Sequence, residues 1–524
     1  MTRRIKKMKI GKRAAAALTA AVLAAAAPGA AAFAAEGDGA KIVKPNGTEM
    51  FYASVFAALN SAFDGDTVVM LKDYENTAAL PEPKYKVVGG VTIDLNGHTA
   101  DIGPFYLQTS GSNSLLTITG EGSLIADYNA IAIHKTGSVT VKDGAVVQSN
   151  AKDTYSTITC EGELTVKNAS IKSVGKNVEA VKVDGGSFTI NGSSSVVDGY
   201  DGGVFVVDGG TFTMNGGTVK SENYNAVYGN GTPDKEDTSI TINGGEITSE
   251  IAVGMYLPQP GKTEITGGTI TGGATAVEIA SGSLTVSGGA LVSTSKMAAI
   301  RPGTDQSDGF CTAGAALAVT GRTPAAGSGY AGKMDISISG GTFEGIYGFE
   351  KILRNGDESA SINSISITGG TFIGKNEGKA VYAGEGCTDN LFISGGVFST
   401  DVSGYTESGY TCLEAGDDYS VYKTQASKYS KVSVESNKDA VDNAMNTQIG
   451  EGSSESYELH KVSLSNVNGN VIRLQYSFGN GGQTVPWYHE FTQTTFTDAN
   501  VDIGVILYNI PEGTKTGEPS VYIK

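Results

Sequence analysis

The sequence predicts an all-β chain: a right-handed parallel β-helix solenoid with an N-terminal helical cap, followed by a small antiparallel β domain. The first observation behind this is a phrase repeated between about Leu116 and Phe398. It is plain at Ile240-Thr241-Ile242-Asn243-Gly244-Gly245 and returns from Phe212, Leu284, Ile336, Ile365 and Leu391. Weaker copies stand at Leu116, Val139, Leu164, Phe188 and Leu317. The step is roughly 21–29 residues, a period that belongs to solenoids. The second observation lies within the phrase. Alternating apolar and polar residues open it, as in a strand buried on one side. A small polar residue and Gly-Gly then bend the chain, because glycine reaches positive φ without a Cβ clash. The third observation is a pair of further short strands after the bend, the second of them such as Asn225–Tyr228, Ala276–Ile279 or Lys379–Tyr382. Nothing between them reads as a helix, so βαβ units are excluded in favour of three strands per coil.

The residue before the Gly-Gly bend is Asn215, Asn243, Thr266, Ser287, Ser339, Thr368 or Ser394, with Asn191 before Gly-Ser. In stacked coils these side chains are expected to form a ladder of hydrogen bonds at the bend, a structural role.

Taken from its start, the chain opens with the pattern of a secretory signal over 1–34. Seven basic residues from Arg3 to Arg13 precede an alanine-rich apolar core, and Ala32-Phe33-Ala34 gives a small-x-small cleavage site. Its apolar core is short for a membrane span, so the mature chain is expected to be secreted or on the cell surface, with no transmembrane span. Removing this segment takes away seven cations and no acids, moving the formal net charge from −17 to −24. So acidic a chain is a poor partner for nucleic acid or an anionic membrane. It would also repel polyanionic glycans unless calcium bridged the two.

Residues Ala35–Gly47 read as a polar lead-in. Apolar side chains at Phe51, Tyr52, Val55, Phe56, Leu59 and Phe63 recur at helical spacing. That short amphipathic helix over Thr48–Phe63 is expected to cover the open end of the rod. Gly65-Asp66 ends it and the first strand begins at Thr67. The β-helix is placed at 48–423. This opening, with Val91-Thr92-Ile93-Asp94-Leu95-Asn96-Gly97-His98, resembles the first coils of bacterial secreted and surface β-helix proteins of the pectate-lyase-like superfamily. The Gly-Gly-Thr-Phe phrases (Gly209 to Phe212, Gly340 to Phe343, Gly369 to Phe372) and the closing Gly395–Val402 resemble the same group. The resemblance spans about 48–423 and implies the fold, not an activity, since such folds host unrelated functions.

Strand alternation sets which third-strand side chains face outward. Aligning coils by their bends gives Ala132, Thr157, Lys182, Phe205, Tyr228, Tyr256, Glu278, Arg301, Tyr347 and Tyr382. Phe205, Tyr228 and Tyr256 would then stack into an exposed aromatic row, with Glu278 and Arg301 next along the rod. Such a row is a platform for the apolar faces of sugar rings, or simply a set of stabilising cross-strand contacts. The long segments Gly229–Thr238, Arg301–Ala315 and Gly321–Lys333 could cover it.

Enzymes on this fold use clustered carboxylates, with calcium and a basic residue in lyases, or with an acid–base pair in hydrolases. The densest cluster here is Asp184, Asp198, Asp201 and Asp208. All four precede glycine, which is a turn signal. No Ser/His/Asp spacing, P-loop or dinucleotide fingerprint appears. His134, Asp94 and His98 read as surface or turn residues. The four cysteines do not make a disulfide framework. Cys387 and Cys412 fall about one coil apart, which leaves a bridge or two free thiols open.

Beyond the rod, 424–524 reads as a linker, a short helix at Asp439–Ile449 and a small β-sandwich-like domain of five strands. Lys524 is preceded by no sortase-type signal or hydrophobic tail, leaving release, non-covalent anchoring or a longer chain open. The expected function is a non-catalytic extracellular or cell-surface protein, adhesin-like or glycan-binding, with polysaccharides or neighbouring-cell glycans as partners. The alternatives are a polysaccharide lyase or glycoside hydrolase, and a stalk without ligand. No cofactor is expected, calcium entering only with a lyase.

Overall fold

The computed structural model describes residues 37–76, 84–111, 113–152, 154–176, 178–231, 237–300, 312–322, 333–355, 358–415 and 417–423. Beyond these it describes the strand segments 428–430, 434–435, 443–451, 456–465, 472–480, 483–490, 500–507, 515–516 and 520–523. The signal-like segment 1–34, Arg301 and Cys311 lie outside the described residues.

The chain winds into a parallel β-solenoid of about 12 turns. Three ladders of short strands run along it. The first passes from Asp66–Met70 through Leu115–Thr119 and Thr211–Met214 to Ile362–Ile367. Its register stacks the repeated phrase in one column: Leu116 pairs with Val139, Val139 with Leu164, Leu164 with Phe188, Phe188 with Phe212 and Phe212 with Ile240. Thr263 occupies the next step, then Leu284, Ile336 and Ile365. Leu317, expected in this column, belongs instead to the third ladder, where it pairs with Val277. Its run of small apolar residues satisfies the alternation of either ladder.

The inward members of each strand make one continuous core along the axis, with Ile118, Val141, Val166, Ile190 and Met214 fully buried. Ring stacks extend it: Phe188 on Phe212 at 5.3 Å, Phe343 on Phe372 at 4.4 Å and Phe372 on Phe398 at 5.1 Å. At the bend, the second glycine of each pair is left-handed, as at Gly245 (φ 94°) and Gly341 (φ 99°). The expected side-chain ladder forms beside it from Asn191 to Thr266, whereas Thr368 Oγ1 donates instead to the backbone oxygen of Ile338 (3.3 Å). Asn215 Nδ2 donates to Asn191 Oδ1 (2.9 Å), Asn243 Nδ2 to Asn215 Oδ1 (2.8 Å), and Thr266 Oγ1 to Asn243 Oδ1 (2.9 Å).

The N-terminal cap is more than a helix. Ala40–Val43 and Glu49–Tyr52 form an antiparallel hairpin, and Ala40–Val43 pairs antiparallel with the first rod strand. The helix is only Val55–Leu59, capped by Ser54 Oγ accepting from Ala57 N at 3.2 Å. Phe51 and Tyr52 thus lie in a strand, and the polar lead-in supplies its partner. An antiparallel strand satisfies the edge hydrogen bonds of the first coil, which a helix cannot do. Val55, Ala58 and Leu59 close the core from above, and the Phe56 ring packs against Tyr74 (5.4 Å) and Tyr85 (6.0 Å).

At the other end, Tyr410–Ala415 and Asp418–Lys423 form a hairpin whose second strand pairs antiparallel with Val397–Phe398. The predicted last rod strand, Asp418–Tyr422, is thus a cap strand. The bridge considered for Cys387 and Cys412 is absent: both are free, as is buried Cys160. Farther on, antiparallel pairs join Asn443–Glu451 to Ser456–Ser465 and Ile472–Asn480 to Gln483–Glu490. The predicted helix at Asp439–Ile449 is overturned by the first of these, since 443–449 is strand.

Candidate functional site

The third ladder places most of the outward residues singled out in the sequence. Ala132 pairs with Thr159, Thr159 with Lys182, Lys182 with Phe205, and Phe205 with Tyr228. Tyr228 pairs with Tyr256 and Tyr256 with Glu278. Three positions differ from the bend-based alignment. Thr159 takes the place expected of Thr157, which is buried with its hydroxyl donating to Lys172 O (2.7 Å). Ala318 takes the place expected of Arg301 next to Glu278, and Glu350 takes that of Tyr347. The loop between the second and third strands varies in length, so counting from the bend slips by a few residues.

The aromatic row is open only in part. Phe205 and Tyr228 are partly exposed and stack with centroids 4.8 Å apart. Tyr256 is 4 % exposed and lines a small hollow with Val206, Gly229 and Gln259. Glu278 is wholly buried: its carboxylate accepts from Thr312 N (3.0 Å) and Thr312 Oγ1 (2.8 Å). The strand pair Ala299–Ile300 with Thr312–Ala313 brings that threonine over the face. Tyr256 and Glu278 are therefore not surface groups, and the threonine that covers Glu278 belongs to one of the segments the sequence marked as long.

What opens beside Phe205 is a groove that sequence reasoning missed. It holds about 730 Å³ and is lined by Tyr106, Tyr128, Tyr155, Glu179, Lys182 and Phe205, among others. Tyr128 and Tyr155 are about half exposed and meet edge to face at 5.4 Å. A second hollow of about 470 Å³ lies on the other side of Tyr228, between Tyr200, Tyr224, Asp201 and Lys176. The Tyr224 ring meets Tyr228 edge-on at 5.3 Å. A signal for this existed: Tyr128, Tyr155, Tyr200 and Tyr224 all fall in the connection between the second and third strands of their coils. Tyrosines repeated at one turn of a solenoid make a column, as strand residues do.

Glu179 stands between the two hollows. Ser156 Oγ donates to its Oε1 (2.6 Å) and the Tyr228 hydroxyl to its Oε2 (3.5 Å). Burial, then the charge of Glu179, pushes the Tyr228 phenol well above its ordinary pKa. That hydroxyl remains protonated and donates at any physiological pH. Lys182 is held by Asp184 at 2.6 Å.

The four aspartates do not converge. Asp184 is in the third ladder, while Asp198 is in the second, beside Lys172 and Lys220, with Lys220 Nζ at 3.1 Å. Asp208 holds a left-handed turn (φ 53°). Only Asp201 faces a hollow. Among the described residues no group of three or more His, Cys, Asp and Glu could hold a metal ion. His98 contacts Asp73 (3.3 Å) and Asp94 accepts from Asn96 N (3.0 Å), both in the bend.

These observations define a parallel β-helix protein with an aromatic, partly acidic groove on one flank. No protein-family description matches the chain, and no curated protein does. A solved structure, the enzymatically active domain of tailspike protein 2 of bacteriophage CBA120, aligns over 91% of this chain and 76% of its own length, at 11% identity and a TM-score of 0.23. No helix among the described residues is long and apolar enough to cross a membrane.

Proposed function

We propose that the protein is an extracellular, secreted or surface-displayed β-helix that binds a glycan along the flank from Tyr106 to Tyr228. The observation that carries this reading is the groove itself, where Tyr128, Tyr155 and Phe205 line one open cleft. Rings presented edge and face suit the apolar faces of pyranoses, while Glu179, Lys182 and the phenol hydroxyls suit sugar hydroxyls. The coils advance roughly 4.8 Å each, comparable to the length of one sugar unit. A chain lying along the rod axis would thus meet one coil per sugar. Stacking supplies affinity without charge, which fits a chain whose acidity disfavours polyanionic partners.

The secretory pattern of 1–34 supports an extracellular place, and non-catalytic binding remains the favoured activity. Cleavage would need an acid–base pair across the groove, and the Asp184–Asp208 set is divided between ladders. The test is glycan-array and affinity-electrophoresis binding of the mature chain against neutral, amino and uronic polysaccharides, with product analysis of each mixture. Retardation by a neutral or amino glycan, lost in Tyr155→Ala/Phe205→Ala, is the expected outcome. No retardation by any polymer would favour a stalk, and shortened products would overturn the non-catalytic reading.

A further inference from the structure

Tyr200 and Tyr224 stand one coil apart in the connection between the second and third strands, on backbone that is held as firmly as the ladders. Tyr200 N donates to Ser173 O (3.1 Å) and Asn223 N to Tyr200 O (2.9 Å). Tyr224 N donates to Ser221 Oγ (3.2 Å), and Tyr224 O accepts from Ser249 Oγ (2.7 Å). Tyr228 is fixed by its own neighbours. Its ring lies on Phe205, its hydroxyl donates to Glu179, and Gly202 passes so close that a Cβ there would lie 2.9 Å from Tyr228 Cε1. These three rings wall the hollow of about 470 Å³, which Lys176, Asp201 and Asn223 complete.

Tyr224 meets Tyr228 at 86° with centroids 5.3 Å apart, so the walls form a corner rather than a flat platform. A pyranose stacks on one flat ring, whereas a rounded group gains from rings on several sides. Charge narrows the choice further. Burial most of all, then Glu179 and, by a smaller share, Asp201 push the Tyr228 phenol upward, so the field of both carboxylates falls on this ring. The face of an aromatic ring is itself negative, and the hollow therefore favours a cation. A metal ion or a primary ammonium gives up a strong hydration shell, which three phenol rings and one carboxylate replace poorly. A trimethylammonium group donates no hydrogen bond and is held by ring faces. Lys176 is exposed and lines the same hollow. Its ammonium repels a bare cation and attracts an anion joined to one.

We propose that this hollow binds choline phosphate, with the trimethylammonium group enclosed by Tyr200, Tyr224 and Tyr228 beside Asp201 and the phosphate held by Lys176. Its volume suits a small ligand, since such pockets span roughly 300–1,000 Å³. A soluble or polymer-borne ester and a phosphatidylcholine lipid carry the same headgroup, and the site reads that shared chemistry. It does not rest on the glycan reading, because choline compounds contain no sugar, and either reading can fail alone.

The experiment is titration calorimetry of the full chain with choline chloride, phosphocholine and phosphoethanolamine, with co-sedimentation on phosphatidylcholine vesicles as a separate arm. Saturable binding of phosphocholine, about ten-fold tighter than phosphoethanolamine, is the expected result. Tyr224 is 37 % exposed, so its removal spares the core. Tyr224→Ala should weaken phosphocholine binding about five-fold, while Tyr224→Phe keeps it, since the ring rather than the hydroxyl makes the contact. Asp201→Asn should weaken choline and phosphocholine alike, and Lys176→Ala should remove the preference for phosphocholine over choline. Given phosphocholine binding, retention on vesicles identifies the lipid headgroup as the source and no retention identifies a soluble or polymer-borne ester; both support the site. No saturable heat from wild-type protein with millimolar phosphocholine overturns the proposal and needs no variant to fold. Equal affinity for phosphoethanolamine, or a Tyr224→Ala variant that binds like the wild type, also overturns it, because a plain charged pocket would behave that way.

Discussion

Phe205 and Tyr228 stand one coil apart with ring planes only 27° from parallel, and this pair marks where the aromatic row leaves solvent. On one side the groove opens toward Tyr155 and Tyr128. On the other, the next residue in register, Tyr256, is enclosed. One column of outward strand positions thus changes from surface to interior within a coil.

Ligand contact should respect that boundary. Phe205→Ala and Tyr155→Ala should each weaken binding to the glycan retained by the wild type by about 1 kcal/mol, roughly five-fold in Kd. Tyr256→Ala should leave Kd unchanged and lower stability by about 3 kcal/mol, as expected for an emptied aromatic site. Titration calorimetry and urea unfolding on the same three variants separate the two effects. A Tyr256 variant that lost affinity without losing stability would contradict the placement.

Much of the fold is legible in the sequence because the repeat is enforced by sterics. The second glycine of the phrase is left-handed, and in the middle coils the residue before the pair hydrogen-bonds to its counterpart in the next coil. Asn191, Asn215, Asn243 and Thr266 do this in register. The site was less legible. Its tyrosines lie in turns whose length changes from coil to coil, and a period applied to strands says nothing about turns. Burial of Glu278 depends on Thr312, thirty-four residues away, and no local pattern reports a contact at that range. The N-terminal hairpin was missed for another reason. Phe51 and Tyr52 fit a helical spacing with Val55 and Phe56, and only pairing with Ala40–Val43 decides between helix and strand.

The side-chain ladder offers a direct test of the bend. Asn215 donates to Asn191 and accepts from Asn243. Asn215→Ala should lower stability by about 1 kcal/mol, a modest figure because the ladder is exposed to water. Chemical unfolding of the Asn215 and Asn243 single and double variants should give a non-additive cycle. Strict additivity would mean that the ladder contributes nothing as a pair.

The first glycine of the bend is not equally strict along the rod. A Cβ at Gly340 would lie 2.4 Å from the backbone oxygen of Ser287, whereas one at Gly244 would meet nothing closer than 3.5 Å. Gly340→Ala should therefore cost about 2 kcal/mol, while Gly244→Ala should be close to neutral. Melting temperatures of the two variants decide this, and equal effects would sink the distinction.

Glu350 ties stability to pH. Burial, then the charge of Glu278, raises its pKa from 4.5 to about 8. It is 1 % exposed, and its Oε2 has no hydrogen-bond partner. In the unfolded chain the same carboxyl titrates near 4.5, so between these values the unfolded state is ionised while the folded state keeps its proton. The contribution of Glu350 is complete below pH 4.5, where both states are protonated, and is lost as pH rises through about 8. At about 1.4 kcal/mol per pH unit, the loss is on the order of 5 kcal/mol. Glu350→Gln keeps the neutral shape and removes the titration. Its melting temperature should match the wild type near pH 4.5 and exceed it by a growing margin up to pH 8. Two parallel profiles across that range would show that Glu350 is already ionised in the folded protein.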